Sequence, residues 1–377
     1  MTSTLVEPTP TPPARNAASH LWRWTRDPLG LLSEGARLGP AFDIRLWRQA
    51  TVGYSPEWNQ AVLTDLETFR SRGSLSGITP YLAAGIVSTD LPEHRPRRRA
   101  LNRPFSRPAM ATLAGRLRDV ADRARPDGDF DALAHASALI QRMLNAALFG
   151  GRVDPALVAA FLRPLTEPMP TPVLRRPWLF RRMNTAIART LADPPTGSVA
   201  AALVDVPGAV EELRVALAAG YDTTAHTLAW ALWRLAEQPD WGAPGLVEPF
   251  LDEVQRLYPS GWIGSRVATV DAEVDGVPLP AGRLVLYSPY LTHRDPQLWP
   301  APERFRPQRF VDGRPVWSYL PFSAGPRTCL GAHLARLMLA TALEATPAGR
   351  LTRGVGDDGI VAGITLRPRG PLPMRLG

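Results

Sequence analysis

Cys329 is the single cysteine of a 377-residue chain, in the loop PFSAGPRTCLG directly before a helical pattern, AHLARLMLATALEA. One thiol forms no internal disulfide and builds no Cys-rich zinc site. Three chemistries remain: an inert thiol packed as a small hydrophobe, a nucleophile, or one thiolate ligand to a metal whose other ligands are not cysteines. Gly325 and Gly331 flank the cysteine and remove side-chain bulk where a flat ligand would approach the backbone, and Pro326 stiffens the loop. A position just ahead of a helix N-terminus offers free N–H groups and the positive end of the macrodipole, which favour an anionic sulfur. Pro321 and Phe322 make the surroundings apolar. A thiolate in a dry pocket suits a soft-ligand metal site. It suits a nucleophile less, because no histidine stands beside it and His333, four residues on, is a helix residue facing elsewhere.

The other residues with chemical potential sit on elements that must bring them to this loop. VEELRVALAAGYDTTAHTLAWALWRLAEQPD (210–240) is apolar on nearly every face and reads as a helix through the core. Gly220, Asp222, Thr223 and Thr224 interrupt it at the middle. Buried aspartate is rare without a partner or a task, and threonine hydroxyls that bond back to the preceding turn can open or bend a helix. Glu253 and Arg256 in LDEVQRLYP share one helix face, which alone marks no more than an ion pair. His94 and Arg98 in DLPEHRPRRRALNRPFS read in isolation as a solvated basic helix start.

Around these, residues 40–70 predict two short strands followed by a helix, and 71–89 a Gly/Ser-rich loop long enough to be functional. Helical spacing then runs to about 240, with a Pro-rich break at 168–178. Strand signals return at 266–289 with turns at DG and AG, and a helix over 332–346 leads to a short β tail. The fold class is mainly α with a small β region. The N-terminus, Pro/Thr-rich and without a signal-peptide pattern, predicts a disordered lead-in over 1–19 before a single domain over 20–377. No apolar run reaches the roughly 18–20 residues that span a bilayer, so no membrane anchor is expected, and the location expected is cytoplasmic. The net charge of +8 comes from 43 basic residues, every one an arginine. They are scattered, with no aromatic-interleaved stripe, which argues against nucleic acid. All-arginine usage points to a GC-rich bacterial genome.

FSAGPRTCLG resembles the haem-binding loop of the cytochrome P-450 superfamily, F-x-x-G-x-[RH]-x-C-x-G, with Phe322, Gly325, Arg327, Cys329 and Gly331 all in place. AGYDTT resembles the family's [AG]-G-x-[DE]-T-T signature through Ala219, Gly220, Asp222, Thr223 and Thr224. WPAPERFRPQRF resembles its F-x-P-E-R-F element through Phe305, Pro307, Arg309 and Phe310, with Gln308 in place of Glu. The resemblance spans about 40–375. It implies a triangular helical prism holding haem b between the long central helix and the Cys-loop helix. It implies Cys329 as iron ligand, and Ala219, Phe322 and Gly331 against the haem. His94, Arg98, Arg266 and Arg327 would hold its propionates, Asp222 and Thr223 would relay protons, and Glu253, Arg256 and Arg309 would form a structural triad behind the loop. Two departures stand out: a short chain compressed near 190–210, and Arg327 where many soluble bacterial relatives carry His.

The implied activity is insertion of one oxygen atom from O2 into a C–H bond of a hydrophobic small molecule in bacterial specialised metabolism. A peroxide-driven, coupling or rearrangement enzyme is the alternative, and a haem sensor or carrier the more distant one. Without a fused reductase domain, electrons are expected from NAD(P)H through a separate ferredoxin reductase and ferredoxin. Arg95, Arg97, Arg99, Arg103 and Arg107 offer a basic face for that acidic partner. The segments 71–89, 165–180, 260–265 and 359–364 are apolar candidates for the substrate pocket.

Overall fold

The computed structural model describes residues 9–14, 18–77, 79–167 and 170–377. Its longest element is the helix whose sequence is apolar all round: Ala209–Leu235, 27 residues, buries Leu213, Leu217, Leu228, Trp230 and Trp233 on several sides. Ala132–Phe149 packs along it, and Pro155–Thr166, Pro177–Ala192 and the Cys-loop helix Ala332–Glu344 complete the layers around it. The helix is continuous, in contrast to the interruption expected at its centre. The hydroxyls of Thr223 and Thr227 bond the carbonyls four residues back, at 2.7 and 2.8 Å, without displacing the helix ladder. Gly220 serves packing instead of bending, since a Cβ there would come within 3.1 Å of Leu144 on the neighbouring helix.

The strands gather on one side. Ala41–Arg45 and Gln49–Gly53 pair antiparallel, and Gln49–Gly53 then runs parallel to Leu284–Tyr287, whose far side pairs with Gly264–Ala268 and through it with Phe69–Arg70. Leu284–Tyr287 is buried throughout, as a central strand covered on both faces must be. The helix Pro56–Thr64 follows the second strand, with Pro56 in its first turn and the Ser55 hydroxyl accepting the Trp58 N–H at 3.0 Å. Asp275 and Gly276 turn the hairpin between Ala272–Val274 and Val277–Leu279, both at positive φ. A last hairpin, Ile360–Ala362 with Leu366–Pro368, meets the central helix, and Ile360 packs against both the helical core and the sheet core. About 49 % of the chain is helical, beside this small sheet region.

Within the segment read as a disordered lead-in, residues 9–14 are described. Asp43 of the first strand donates its backbone N–H to the Pro10 carbonyl at 2.8 Å, and the buried His20 ring of the helix Ser19–Arg26 reaches the Pro12 carbonyl at 2.9 Å. Residues 1–8 and 15–17 of that segment, Ile78 of the 71–89 loop and 168–169 of the Pro-rich break lie outside the described residues. Between 193 and 208 the connection holds one short helix, Val199–Leu203. Among the described residues no helix is long and apolar enough to cross a membrane.

Candidate active site

The Cys329 loop is shaped by backbone constraints. Cys329 donates its N–H to the Phe322 carbonyl at 2.8 Å, which closes the loop, and Gly331 caps the helix that follows. Gly325 has φ +70°, and a Cβ on it would lie 2.6 Å from the Leu63 carbonyl, so only glycine lets the loop pass under the helix Pro56–Thr64. A Cβ on Gly331, by contrast, would meet no protein atom within 4 Å. Among the described residues no contact demands that glycine, whereas a flat ligand lying on the loop would. The Arg336 guanidinium stacks 5.1 Å from the Phe322 ring centroid and holds it in place.

By surface area Cys329 is exposed on one side, yet enough protein surrounds the sulfur that burial pushes its thiol above the ordinary value. The Gly331 N–H and the charge of Arg98 pull the other way and do not win. The direction is opposite to the thiolate expected at the helix terminus: desolvation outweighs the Gly331 N–H and the Arg98 charge. A bound metal changes the balance, because coordination deprotonates a thiol outright.

Close to this loop the fold gathers basic groups from three elements: His94 and Arg98 on the helix His94–Asn102, Arg266 on Gly264–Ala268, and Arg327 on the loop itself. They are near enough to act on one another. Burial lowers the His94 pKa to about 4, helped by the charges of Arg327, Arg98 and Arg266 and opposed by Asp90. Burial and Arg266 lower that of Arg327 to about 10. Both ring nitrogens of His94 and the Nε atoms of Arg266 and Arg327 are buried without a hydrogen-bond partner among the described residues. Unspent donors among crowded positive charges are costly unless an anionic acceptor meets them. The cluster thus fits a ligand bearing carboxylates, as haem does with its propionates.

Asp90 is the residue here that no sequence pattern singles out. Its carboxylate accepts Arg327 Nη2 at 2.7 Å and the N–H groups of Ser71 and Arg72, each at 2.9 Å. It orients Arg327 and ties the 71–89 segment to the cysteine loop.

On the central helix, Ala216, Ala219, Gly220 and Thr223 are only partly buried while their neighbours are buried, so one helical stripe faces open space. Thr223 Oγ1 donates to the Ala219 carbonyl at 2.7 Å, leaving its lone pairs free. Its own carbonyl accepts Thr227 Oγ1 and, at 2.9 Å, Ser260 Oγ. Asp222 is buried and engages different partners: Oδ2 accepts Thr365 Oγ1 at 2.6 Å, and the same hydroxyl lies 2.8 Å from His226 Nδ1. The four-residue spacing of Asp222 and His226 signals a shared face. Nothing local points to Ser260 or Thr365.

Glu253, Arg256 and Arg309 come together behind the loop. Glu253 and Arg256 are fully buried and paired through two hydrogen bonds of 2.7 and 2.8 Å, and Arg309 Nε lies 3.5 Å from the same carboxylate. Arg309 makes its hydrogen bond instead to the Ala301 carbonyl at 2.9 Å. His293 joins the cluster: its Nε2 accepts the Leu320 N–H at 2.8 Å, so Nδ1 carries the proton toward the Arg256 carbonyl at 3.2 Å. Burial and the adjacent Arg256 hold its pKa at about 3. Asp252, buried next to Glu253, binds Arg314, Arg336 and Tyr319, a second anchor beside the one legible in the sequence.

The basic face is smaller than expected. Arg97 turns inward to the buried Glu212, which leaves Arg95, Arg99, Arg103 and Arg107 exposed.

The family profile for cytochrome P-450 matches residues 245–346, the stretch from the Glu253 helix through the Cys-loop helix. Cyclooctatin synthase of Streptomyces melanosporofaciens is 27 % identical in an alignment covering 96 % of this chain and 92 % of that protein. Cytochrome P-450 135A1 of Mycobacterium tuberculosis is 30 % identical over 77 % of this chain and 76 % of its own length. The crystal structure of CYP175A1 from Thermus thermophilus superposes with a TM-score of 0.81 at 27 % identity, covering 97 % of this chain and 99 % of that one. With the cysteine loop, the unspent basic groups beside it and the central helix arranged as described, the chain belongs to the cytochrome P-450 family of haem-dependent monooxygenases.

Proposed function

We propose that Cys329 is the proximal iron ligand of haem b, and that His94, Arg98, Arg266 and Arg327 receive its propionates through charge-assisted hydrogen bonds. The observation that carries this is the set of buried, unspent polar groups on His94, Arg266 and Arg327 around a loop where a Cβ on Gly331 would meet no atom of the described residues within 4 Å. Phe322 and Gly331 would border the haem on the cysteine side and Ala219 on the other. Bound there, thiolate-ligated haem supplies activation of O2 for insertion into a C–H bond. The protein's own part is to position substrate, keep water ordered and move protons. Thr223 offers free lone pairs on the accessible stripe of the central helix, and Asp222 supplies a carboxylate one residue away. Together they relay protons toward the oxygen-binding side. Glu253, Arg256 and Arg309 fix the support of the cysteine loop and take no part in chemistry.

The substrate class this reading favours is a hydrophobic small molecule of terpenoid, polyketide, steroid or fatty-acid type. Ile263, Ile360, Ala362 and Ile364 in the candidate segments are apolar and only half-buried. Relatives such as cyclooctatin synthase support a place in bacterial specialised metabolism. Residues 20–377 act as one domain in the cytoplasm, fed from NAD(P)H by a separate reductase and ferredoxin. Product formation from O2 driven by NAD(P)H and a ferredoxin system is the expected result. Turnover that peroxide drives but NAD(P)H with a ferredoxin system does not would overturn it.

Two expected results follow for the variants. Thr223→Ala keeps haem and substrate binding while electrons are diverted to peroxide, and Asp222→Asn slows turnover. Unchanged rate and peroxide yield in both would place the proton route elsewhere. For the partner, Arg95, Arg99, Arg103 and Arg107 would steer an acidic ferredoxin, an attraction screened beyond about 8 Å at physiological salt. Ferredoxin-driven turnover should therefore fall with ionic strength, and reversing Arg99 and Arg103 to Glu should raise the ferredoxin KM. Peroxide-shunt turnover, which needs no partner, should change little. Equal salt sensitivity in both assays would assign these arginines to the fold.

A further inference from the structure

Thr365 lies on the hairpin between Ile360–Ala362 and Leu366–Pro368, 143 residues from the aspartate that it contacts. Its hydroxyl has one proton and two polar neighbours. The carboxylate of Asp222, 2.6 Å away, can only accept, so the proton points there. The contact to His226 Nδ1 at 2.8 Å must then be donated by the ring. His226 supplies that donor in its neutral form: burial and the charge of Arg367 lower its pKa, against the opposing pull of Asp222. The result is a directional chain, His226 Nδ1–H to Thr365 Oγ–H to Asp222 Oδ2, with all three residues buried. It occupies Oδ2 and leaves Oδ1, buried, 3.7 Å from His226 Nδ1 and without a hydrogen bond among the described residues, as the oxygen free to exchange a proton.

We propose that Thr365 and His226 are positioning residues for proton delivery: they lock one oxygen of Asp222 so that the other is presented to the relay. The inference rests on Asp222 being the relay carboxylate. In each cycle Oδ1 takes one proton supplied by bulk solvent and passes that proton on, so Asp222 ends as the carboxylate it began as. The same bracket reaches Thr223. Ser260 Oγ holds the Thr223 carbonyl, and Trp262 of that segment donates Nε1–H to the Gly363 carbonyl of the hairpin at 3.1 Å. Ser260, in one segment read as pocket wall, and Thr365, directly after another, therefore hold the two members of the relay.

The test compares Thr365→Val with Thr365→Ser, and His226→Leu with His226→Asn, whose amide can donate from near the Nδ1 position, all as holoenzymes. Two quantities are read: the share of electrons lost to peroxide, and the infrared carboxylate bands of Asp222, assigned by their loss in Asp222→Asn. Val and Leu are expected to shift those bands and raise the peroxide share several-fold, while Ser and Asn restore both. Where Thr365→Val fails to fold, the His226 pair decides by the same two readouts. Unmoved bands and coupling in Val and Leu, with coupling altered in Asp222→Asn, overturn the positioning role and leave the relay standing. Unaltered coupling in Asp222→Asn removes the relay itself, and with it this inference.

Discussion

Cys329→Ser should lose the red-shifted Soret band that thiolate-ligated haem shows when reduced and treated with carbon monoxide, and with it all monooxygenase turnover. The size of the effect follows from the chemistry of the ligand. Burial holds the free thiol protonated, and only coordination to iron removes that proton, so the sulfur's softness and acidity on the metal are what bind it. A serine hydroxyl in the same place is a harder and far less acidic donor. The loop geometry should survive, since the Cys329 N–H to Phe322 carbonyl bond is made by the backbone. Absorbance of the reduced, carbon-monoxide-treated protein checks the first part, and haem content measured beside it separates a changed ligand from lost cofactor. A serine variant that keeps the red-shifted band would remove Cys329 from the iron.

Glu253→Gln should be the most damaging substitution outside the haem cleft. It leaves the Arg256 guanidinium, wholly buried, without its counter-charge. Breaking a buried pair from one side costs about 3–5 kcal/mol. That is a large part of the roughly 5–15 kcal/mol by which a folded domain is stable. Arg256→Lys should be nearly as harmful, because one ammonium cannot reproduce the two-pronged contact with Glu253 and also reach the carbonyls of His293 and Arg304. Arg309→Ala should cost less, its ion pair being longer and its side chain nearer the surface. Thermal midpoints and the fraction recovered with haem rank the three. A Glu253→Gln protein as stable as the parent would show that the cysteine loop does not rest on this pair.

What the chain determined by itself was what depends on neighbours within a few positions. A long run apolar on nearly every face specifies a buried helix over Ala209–Leu235, and Asp275–Gly276 specifies a tight hairpin turn, because both signals lie in neighbouring residues. The cysteine loop and the Glu253–Arg256 pair are legible for the same reason. Tertiary structure alone decided the contacts that close over long stretches of chain. Asp90 meets Arg327 across 237 positions, Thr365 meets Asp222 across 143, Ser260 reaches Thr223, and Arg97 turns from the basic face to Glu212. It also decided the direction in which Cys329 titrates. Residues beside the cysteine favour the thiolate through the helix terminus, but desolvation is set by every atom packed around the sulfur, and the packed fold raises the thiol's pKa.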